Sequence, residues 1–122
     1  MKAIVLLKRK PGLTHEQFRH HYETVHAELA HKYLGHLFVE YRRNYPEMRE
    51  ADASQGALSF LQSPYDAITE LRFPDREAFE ESQRIMSDPV IGKIFADDEE
   101  NFMDRTEFRV FTCDEVASDL KR

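Results

Sequence analysis

Residues 2–30, KAIVLLKRKPGLTHEQFRHHYETVHAELA, decide how the chain begins to fold. The apolar run at 2–9 predicts a strand, and its nearly continuous apolar character indicates that both of its faces are covered. Pro11-Gly12 predicts a turn, and Thr14 with Gln17 forms a capping-box pattern for a helix that begins at Thr14. Apolar side chains then recur at helical spacing, namely Phe18, Tyr22, Val25, Leu29 and Tyr33.

Composition and charge narrow the class of protein. The chain has 122 residues, which predicts a single domain over 1–122 with one hydrophobic core. Its formal net charge is −6, from 17 basic and 23 acidic residues. Nucleic acids and anionic membrane surfaces require a concentrated positive field, so we expect neither as a partner.

The first apolar segment and the single cysteine indicate where the protein is located and whether it can form disulfides. The apolar residues 3–7 are too few for a signal-peptide core or a membrane span, so we predict a cytoplasmic protein without a signal peptide. The single cysteine, Cys113, excludes an internal disulfide and a cluster of thiolate metal ligands. We expect it to be a small residue in the last strand.

The rest of the chain predicts three more strands, at 37–45, 65–73 and 105–113. The first helix ends at Gly35, and Pro74-Asp75 begins a second helix that Asp88-Pro89 interrupts before a further helical piece. Residues 47–64 lack a sustained period, and we expect a loop there with a short helical turn, acting as a lid or a dimer contact. The tail at 114–122 is expected to fray.

This order of elements predicts an α+β fold of the ferredoxin-like βαββαβ type. Such a protomer has one four-stranded antiparallel sheet with both helices on one face. The other face needs its own cover, and the strands at 2–9 and 105–113 are apolar. We therefore expect a second copy of the chain to cover it, which predicts a homodimer.

Alternation divides the two middle strands into two faces. The more apolar set is expected to face the helices and comprises Val39, Tyr41, Arg43, Tyr45, Ala67, Thr69, Leu71 and Phe73. The other set alternates in charge and comprises Phe38, Glu40, Arg42, Asn44, Asp66, Ile68, Glu70 and Arg72. Opposite charges on neighbouring strands predict a ladder of ion pairs with a structural role in subunit register.

The six histidines raise the question of a metal site. His15 and His20 are five residues apart, as are His21 and His26, and this spacing does not place two side chains on one face of an α-helix. No zincin-like spacing occurs, so we expect no metal site. His26 differs from the others because it flanks the apolar stripe one helical turn after Tyr22.

His26 and Tyr22 form the candidate site. An imidazole titrates near neutral pH and a phenol donates a hydrogen bond, so the pair suits proton transfer on a polarised carbonyl compound. The alternative is a histidine at the edge of the core whose ring only binds a backbone carbonyl. The acidic run at 97–100 is expected to be a solvated face.

Three segments in this order resemble the EthD family of dimeric α+β barrel proteins. They are the pattern K-P-G-L-T-x-E-x-F at 10–18, the histidine at position 26, and Y-D-A-I-x-E-L-x-F at 65–73. The resemblance runs over about residues 1–113. It implies a ferredoxin-like protomer that dimerises sheet to sheet into a dimeric α+β barrel, with a ligand crevice between helices and sheet.

The same resemblance implies a type of chemistry. The family and its relatives mostly work without metal or organic cofactor on small aromatic, polyketide or lactone compounds. The matching histidine serves proton transfer in related isomerases, a role that carries over only to His26. The catalytic tyrosine of those isomerases corresponds to Val39, with Tyr41 two residues later on the same face, and their pocket cysteine corresponds to Leu71.

Three functions remain open. The first is a cofactor-free lyase or isomerase for a small hydrophobic carbonyl compound, with His26 as the base and Tyr22 and Tyr41 orienting the substrate. The second is a cofactor-independent monooxygenase, in which an apolar crevice shelters a carbanion that reacts with oxygen. The third is a non-catalytic small-molecule-binding dimer with a structural His26. The predicted substrate-binding residues are Arg43, for an anionic group, Asn44, Asp66, Thr69 and Leu71.

Overall fold

A computed structural model describes the backbone of residues 1–52, 57–61 and 63–121, with side chains outside 48–52 and 57–61. Strands in these ranges are β1 (Lys2–Leu7), β2 (Glu40–Asn44), β3 (Met48–Asp52), β4 (Ala57–Leu61), β5 (Ala67–Arg72) and β6 (Arg109–Cys113). The α-helices are α1 (His15–His21), α2 (Ala27–Leu34), α3 (Arg76–Met86) and α4 (Pro89–Phe102). None of the helices described is both long and apolar enough to cross a membrane.

The main sheet has four antiparallel strands in the order β2-β5-β1-β6. The central strand β1 buries Ala3, Val5 and Leu7 on the side that the helices cover. The predicted α+β protomer with a ferredoxin-like sheet is therefore confirmed. All four strands are shorter than predicted. At β2 and β6 the 3-10 turns Gly35–Leu37 and Arg105–Glu107 occupy part of the predicted strand.

The turn and cap after β1 form as predicted. Gly12 has a φ of +94°, which a side chain would strain. The Gln17 amide N–H donates to Thr14 Oγ1 at 3.1 Å, and the Thr14 amide N–H donates to Gln17 Oε1 at 2.9 Å. These reciprocal bonds satisfy backbone donors that the start of a helix would otherwise leave unpaired.

The first helix changes geometry in its middle. A π-helical turn, Tyr22–His26, joins α1 to α2, and the Ala27 amide N–H closes it by donating to the Tyr22 carbonyl. The wider turn rotates the apolar stripe, so Val25 is 40% exposed while His26 is only 9% exposed. The predicted stripe is therefore wrong at Val25. The buried residues of this segment are Phe18, Tyr22, His26, Ala27, Ala30 and Leu34.

The second helical layer is also set by local sequence. Asp75 caps α3 by accepting from the Ala78 amide at 2.8 Å. Asp88 caps α4 by accepting from the Val90 and Ile91 amides at 3.0 and 2.9 Å. Pro89 suits the first turn of α4 because no intrahelical partner is lost there. The helix break at Asp88-Pro89 is thus the start of a new helix that packs over the sheet.

The face opposite the helices carries the predicted charge ladder. Glu40 is in register with Arg72, and Arg42 with Glu70. Arg72 Nε lies 3.5 Å from Glu40 Oε2. Glu115 in the tail contacts Lys2 and Arg72 at 2.9 and 2.8 Å, so the tail is attached to the sheet at this residue.

Alternation fails just outside the strands. Val39 was expected to face the helices but is 59% exposed. Phe38 was expected on the ladder face but packs against Tyr41 and Phe73, with ring centroids 5.4 Å apart in both cases. Because β2 begins only at Glu40, the backbone before it does not follow the two-residue period of a pleated strand.

The predicted loop at 47–64 contains a β-hairpin. β3 and β4 pair as an antiparallel two-stranded sheet, with Met48 opposite Leu61 and Asp52 opposite Ala57. The short helical turn predicted here is therefore wrong where the structure describes the chain. Neither strand contains a β-branched residue, so strand pairing rather than local propensity determines this element. Residues 53–56 and 62 lie outside the described residues, and a role as lid or dimer contact stays a prediction.

Candidate functional site

A cavity of about 210 Å³ lies between the helices and the helix-facing side of the sheet. Much of its wall is aromatic, from Phe38, Phe73, Phe79, Phe95 and Phe108. The polar side chains that line it are Tyr22, His26, Tyr41, Thr69, Ser82, Gln83 and Glu99. An apolar concave site with a few convergent polar groups is the usual form of a small-molecule binding site.

The π-helical turn positions His26 beside this cavity. The His26 ring packs between aromatic neighbours, with centroids 5.6 Å from Tyr22, 5.8 Å from Phe95 and 4.9 Å from Phe102. A π-helical turn brings residues five apart onto one face, so His21 lies on the same side as His26. The prediction that this spacing separates the two rings is wrong, because it assumed a regular α-helix.

Both rings contact one carboxylate. His26 Nδ1 lies 2.9 Å from Asp98 Oδ2, and His21 Nε2 lies 2.7 Å from Asp98 Oδ1. An ionised carboxylate only accepts, so both nitrogens carry protons in these hydrogen bonds. The contact fixes the neutral tautomer of His26, with Nε2 as the unprotonated and basic nitrogen. The alternative prediction of a backbone carbonyl as the partner of His26 is therefore wrong.

Asp98 is 7% exposed, which contradicts the prediction of a solvated acidic run. Burial raises the pKa of Asp98, but hydrogen bonds from His26 and His21 outweigh burial and bring the pKa below its ordinary value. Asp98 therefore stays ionised at neutral pH. The helical spacing of Phe95, Asp98 and Phe102 could have predicted this burial, because it places Asp98 on the same face of α4 as two buried rings.

Only the outer acids of the run fit the solvated-face prediction. Asp97 Oδ2 pairs with Lys93 Nζ at 2.7 Å on the exposed side of α4, and Glu100 Oε1 accepts from Arg105 Nη1 at 3.0 Å. Glu99 instead lines the cavity with a side chain 16% exposed. Burial raises the pKa of Glu99 above its ordinary value, although the charge of Arg105, and that of His26 when it is protonated, opposes this shift.

Three hydroxyl groups converge elsewhere in the cavity wall. Tyr22 Oη and Thr69 Oγ1 are 2.7 Å apart in a buried hydrogen bond, and Tyr41 Oη donates to Tyr22 Oη at 3.3 Å. Burial raises the pKa of both phenols above the ordinary value, so both remain protonated donors at neutral pH. The predicted site residues His26, Tyr22, Tyr41, Thr69 and Leu71 are thus together in one cavity wall.

Arg43 lies behind this wall. Its guanidinium pairs with Glu23 through Nε at 2.6 Å and Nη2 at 2.9 Å, and it stacks over the Tyr41 ring at 4.7 Å. Tyr45 donates a further short hydrogen bond to Glu23. Hydrogen bonding from Arg43 lowers the pKa of Glu23 to about 2. Arg43 therefore supports Tyr41 from behind and is not part of the cavity lining, contrary to its predicted place beside a ligand.

Asn44 and Asp66 also lie away from the cavity. Asn44 belongs to the ladder face, where its Nδ2 donates to the Ile68 carbonyl at 2.8 Å. Asp66 lies before β5 and accepts from the Arg9 amide at 2.8 Å, with His15 Nδ1 at 2.9 Å. Neither side chain is among the described residues that line the cavity, so a role of either in substrate binding stays a prediction. Asn44 instead binds the backbone of β5, and Asp66 binds the backbone after β1 and the first residue of α1.

No group of three or more His, Cys, Asp or Glu side chains in the described residues is arranged to hold a metal ion. The His21–Asp98–His26 cluster uses its ring nitrogens for hydrogen bonds to the carboxylate instead.

The family of the chain is shown by its sequence as a whole. The model of the EthD domain matches residues 10–106, which is most of the chain. The chain belongs to the EthD family. This confirms the resemblance on sequence segments 10–18 and 65–73, and it supports a barrel-type protein. Among curated proteins, none matches the chain.

Several solved structures share the fold. An EthD family protein of Bacillus halodurans has a TM-score of 0.58 at 21% identity, with 95% of this chain and 99% of that chain covered. The Arabidopsis thaliana protein At3g17210 gives 0.58 at 18% identity, with 98% of each chain covered. HapK from Hahella chejuensis gives 0.55 at 12% identity, with 100% and 99% covered. At these identities the likeness shows the fold of an EthD protomer.

Proposed function

We propose that this EthD protein is a cofactor-free lyase or isomerase that moves a proton on a small hydrophobic carbonyl compound. The observation that carries the proposal is the buried 2.9 Å contact between His26 Nδ1 and Asp98 Oδ2 beside an apolar cavity. It keeps Nε2 free to act as a base, and the ionised Asp98 stabilises the imidazolium that forms when Nε2 takes a proton.

The hydroxyl cluster supplies the second half of the chemistry. A substrate carbonyl oxygen within hydrogen-bond reach of Tyr22 or Tyr41 becomes more negative as the neighbouring C–H bond loses its proton to His26. Preorganised donors stabilise that developing enolate without reorganisation. The proton then returns at another atom in an isomerase, or a leaving group departs in a lyase.

The lining favours an uncharged, flat substrate. No lysine or arginine is among the described residues that line the cavity, and the lining includes the carboxyl group of Glu99. An anionic ligand would have no opposite charge to compensate for its desolvation. The five phenylalanine rings of the wall suit an aromatic, polyketide or lactone carbonyl compound. We therefore do not propose Arg43 as an anchor for an anionic group.

The same proposal includes a homodimer and a cytoplasmic location. Phe111 is 51% exposed on the ladder face of the sheet, next to Ile4 in the register of β1 and β6. An exposed apolar ring on this face suits a sheet-to-sheet contact with a second copy. Analytical ultracentrifugation tests it: a sedimenting species of one chain mass at micromolar concentration would contradict the dimer.

Hydrogen–deuterium exchange tests the proton transfer. The probe is 1-tetralone, a flat aromatic ketone whose C2 protons are acidic, incubated in metal-depleted D₂O buffer and followed by NMR. We expect the wild-type protein to accelerate loss of the C2 proton signal. His26→Gln should reduce that acceleration by at least about 100-fold, the usual contribution of a general base.

His20→Gln is the matched control, because His20 is an exposed histidine of α1 in the same helical segment. It should exchange 1-tetralone at the wild-type rate. If the wild-type protein exchanges no faster than buffer, the proposal fails. If the wild-type protein accelerates exchange and His26→Gln exchanges just as fast, His26 is not the base and its proposed role fails. Oxygen uptake with anthrone would instead point to the monooxygenase.

A further inference from the structure

Two neighbouring carboxyl groups of α4 lie in opposite surroundings. Asp98 accepts hydrogen bonds from both imidazoles, and these lower its pKa in spite of burial. Glu99 lines the cavity instead, and burial raises its pKa. A pair of acids with pKa values shifted apart divides naturally into an ionised group and a proton carrier.

The ion pair of Glu99 with Arg105 is a long one. Arg105 Nε lies 3.5 Å from Glu99 Oε1, whereas Arg105 Nη1 donates a hydrogen bond to Glu100 Oε1 at 3.0 Å. Asp98 and Glu100 disfavour the ionised form of Glu99, whereas the charge of Arg105, and that of His26 once it is protonated, favours it. The contrast is Asp97 on the same helix, which pairs closely with Lys93 at 2.7 Å.

We propose that Glu99 is a second catalytic residue, a proton donor that works with the base His26 in the elimination of water from a β-hydroxy carbonyl compound. The inference rests on the proposed function and names its reaction type. Both side chains line the same cavity, which is the geometric basis for pairing a base with an acid.

The step balances without an added reactant. His26 Nε2 takes the proton from the carbon next to the carbonyl, and the C–H electron pair becomes the new C=C bond. The bond from the β carbon to its hydroxyl oxygen breaks, and that oxygen leaves with its electron pair and the Glu99 proton as water. The imidazolium proton then returns through solvent to the Glu99 carboxylate.

Two probes that differ only in the leaving hydroxyl separate the roles. The first is 1-tetralone, which exchanges its C2 protons and has nothing to eliminate. The second is 3-hydroxy-1-tetralone, which loses water to give fluorescent 1-naphthol. In Glu99→Gln we expect unequal effects on the two reactions, with exchange of 1-tetralone falling less than naphthol formation. We expect naphthol formation to fall by at least about 100-fold, the usual contribution of a general acid.

Three matched variants complete the design. His26→Gln should lose both reactions, and Glu99→Asp should recover part of the naphthol formation because it keeps an acid. Asp97→Asn, an exposed acid of α4, should behave as wild type. Thermal unfolding of each variant checks that it is folded.

Each outcome has a definite consequence. Selective loss of naphthol formation in Glu99→Gln supports the inference. Wild-type naphthol formation in Glu99→Gln overturns it and leaves the proposed function standing. Loss of both reactions in a folded Glu99→Gln also overturns it, since Glu99 would then only position His26. Neither reaction in the wild-type protein overturns the proposed function together with the inference.

Discussion

The two faces of the main sheet carry the same kinds of charged groups in different surroundings. On the helix-covered side, Asp98 is 7% exposed and binds two imidazoles. On the opposite side, the Glu40 and Arg72 side chains are 40% and 36% exposed and lie 3.5 Å apart. Burial removes water from the first contact, whereas water and salt screen the second.

We therefore assign the proposed chemistry to the helix-covered face and a structural role to the opposite face. A buried carboxylate with two fixed partners determines which nitrogen of His26 carries a proton. An exposed ladder of alternating charges contributes little to stability by itself. We therefore expect substitutions on the two faces to differ in size and in what they change, and the predictions below test that expectation.

The largest effect on stability is expected in the core of the helix-covered side. Phe102 has no exposed surface and contacts Phe18, His21 and His26 through ring centroids 5.4, 4.8 and 4.9 Å apart. Phe102→Ala should lower the free energy of unfolding by about 3–5 kcal/mol, because it leaves a cavity. Urea unfolding measures it.

Phe111→Ala is the comparison on the opposite face, where the ring is 51% exposed. Phe111→Ala should lower the free energy of unfolding by less than about 1 kcal/mol in dilute solution. A larger cost that grows with protein concentration would show that a second copy buries this ring. Equal costs for Phe102→Ala and Phe111→Ala at every concentration would contradict the difference between the faces.

The next largest effect is expected for Asp98→Asn, which should lower activity more than it lowers the stability of the fold. The asparagine amide presents one donor toward a ring N–H, so one imidazole loses its acceptor and His26 loses its fixed tautomer. Exchange of 1-tetralone should fall by at least about 100-fold, as expected for a misplaced general base. Unfolding free energy should fall by about 1–3 kcal/mol, the cost of an unpaired buried polar group.

NMR of the His26 ring gives an independent readout of Asp98→Asn. The proton on Nδ1 should lose its hydrogen-bonded chemical shift in the variant. Unchanged exchange and an unchanged ring spectrum would mean that Asp98 does not set the tautomer.

Acid should destabilise the protein through groups whose pKa falls on folding. Hydrogen bonding to Arg43 lowers the pKa of Glu23 from 4.5 to about 2. Because the folded pKa is the lower one, the unfolded chain binds more protons. The stabilisation by Glu23 is thus complete above pH 4.5 and is lost as the pH falls to about 2.

Urea midpoints between pH 5 and pH 2 measure this loss, and Glu23→Gln should flatten their dependence on pH. Glu80→Gln, at an exposed position of α3, is the control and should keep the wild-type slope. A Glu23→Gln protein with the same slope as wild type would mean that the contact with Arg43 does not persist in solution.

The smallest effect is expected in the ladder. A double-mutant cycle with Glu40→Gln and Arg72→Gln should give a coupling energy of about 0.2–1 kcal/mol at low salt. The coupling should shrink in 1 M salt, because charges at the surface are screened over a few ångströms there. A coupling that is larger and insensitive to salt would place the ladder in a buried interface.

The elements that form from local pattern were predicted well. Thr14 with Gln17 fixed the start of α1, and Asp88-Pro89 marked the start of α4. The two-residue alternation put Glu40, Arg42, Glu70 and Arg72 on one face, and the structure pairs them there across β2 and β5. In each case neighbours in sequence supply the hydrogen bonds or the pleat, so the pattern is complete in the chain itself.

The errors lie where distant contacts override the local pattern. An α-helical period placed Val25 in the core and separated His21 from His26, whereas the π-helical turn does the reverse. Acidic composition favoured solvent for Asp98, although its spacing from Phe95 and Phe102 marked the buried face. The hairpin of β3 and β4 went undetected because strand pairing determines it.

The sequence alone determined the α+β protomer, the caps and turns of its helices, and the presence of His26 and Tyr22 on one helical segment. Tertiary structure alone decided which groups meet. It brought Asp98 of α4 to both His21 and His26, turned Glu99 into the cavity and moved Arg43 behind Tyr41. The reason is that caps and strand alternation depend on near neighbours, whereas burial and hydrogen-bond partners depend on segments far apart in the chain.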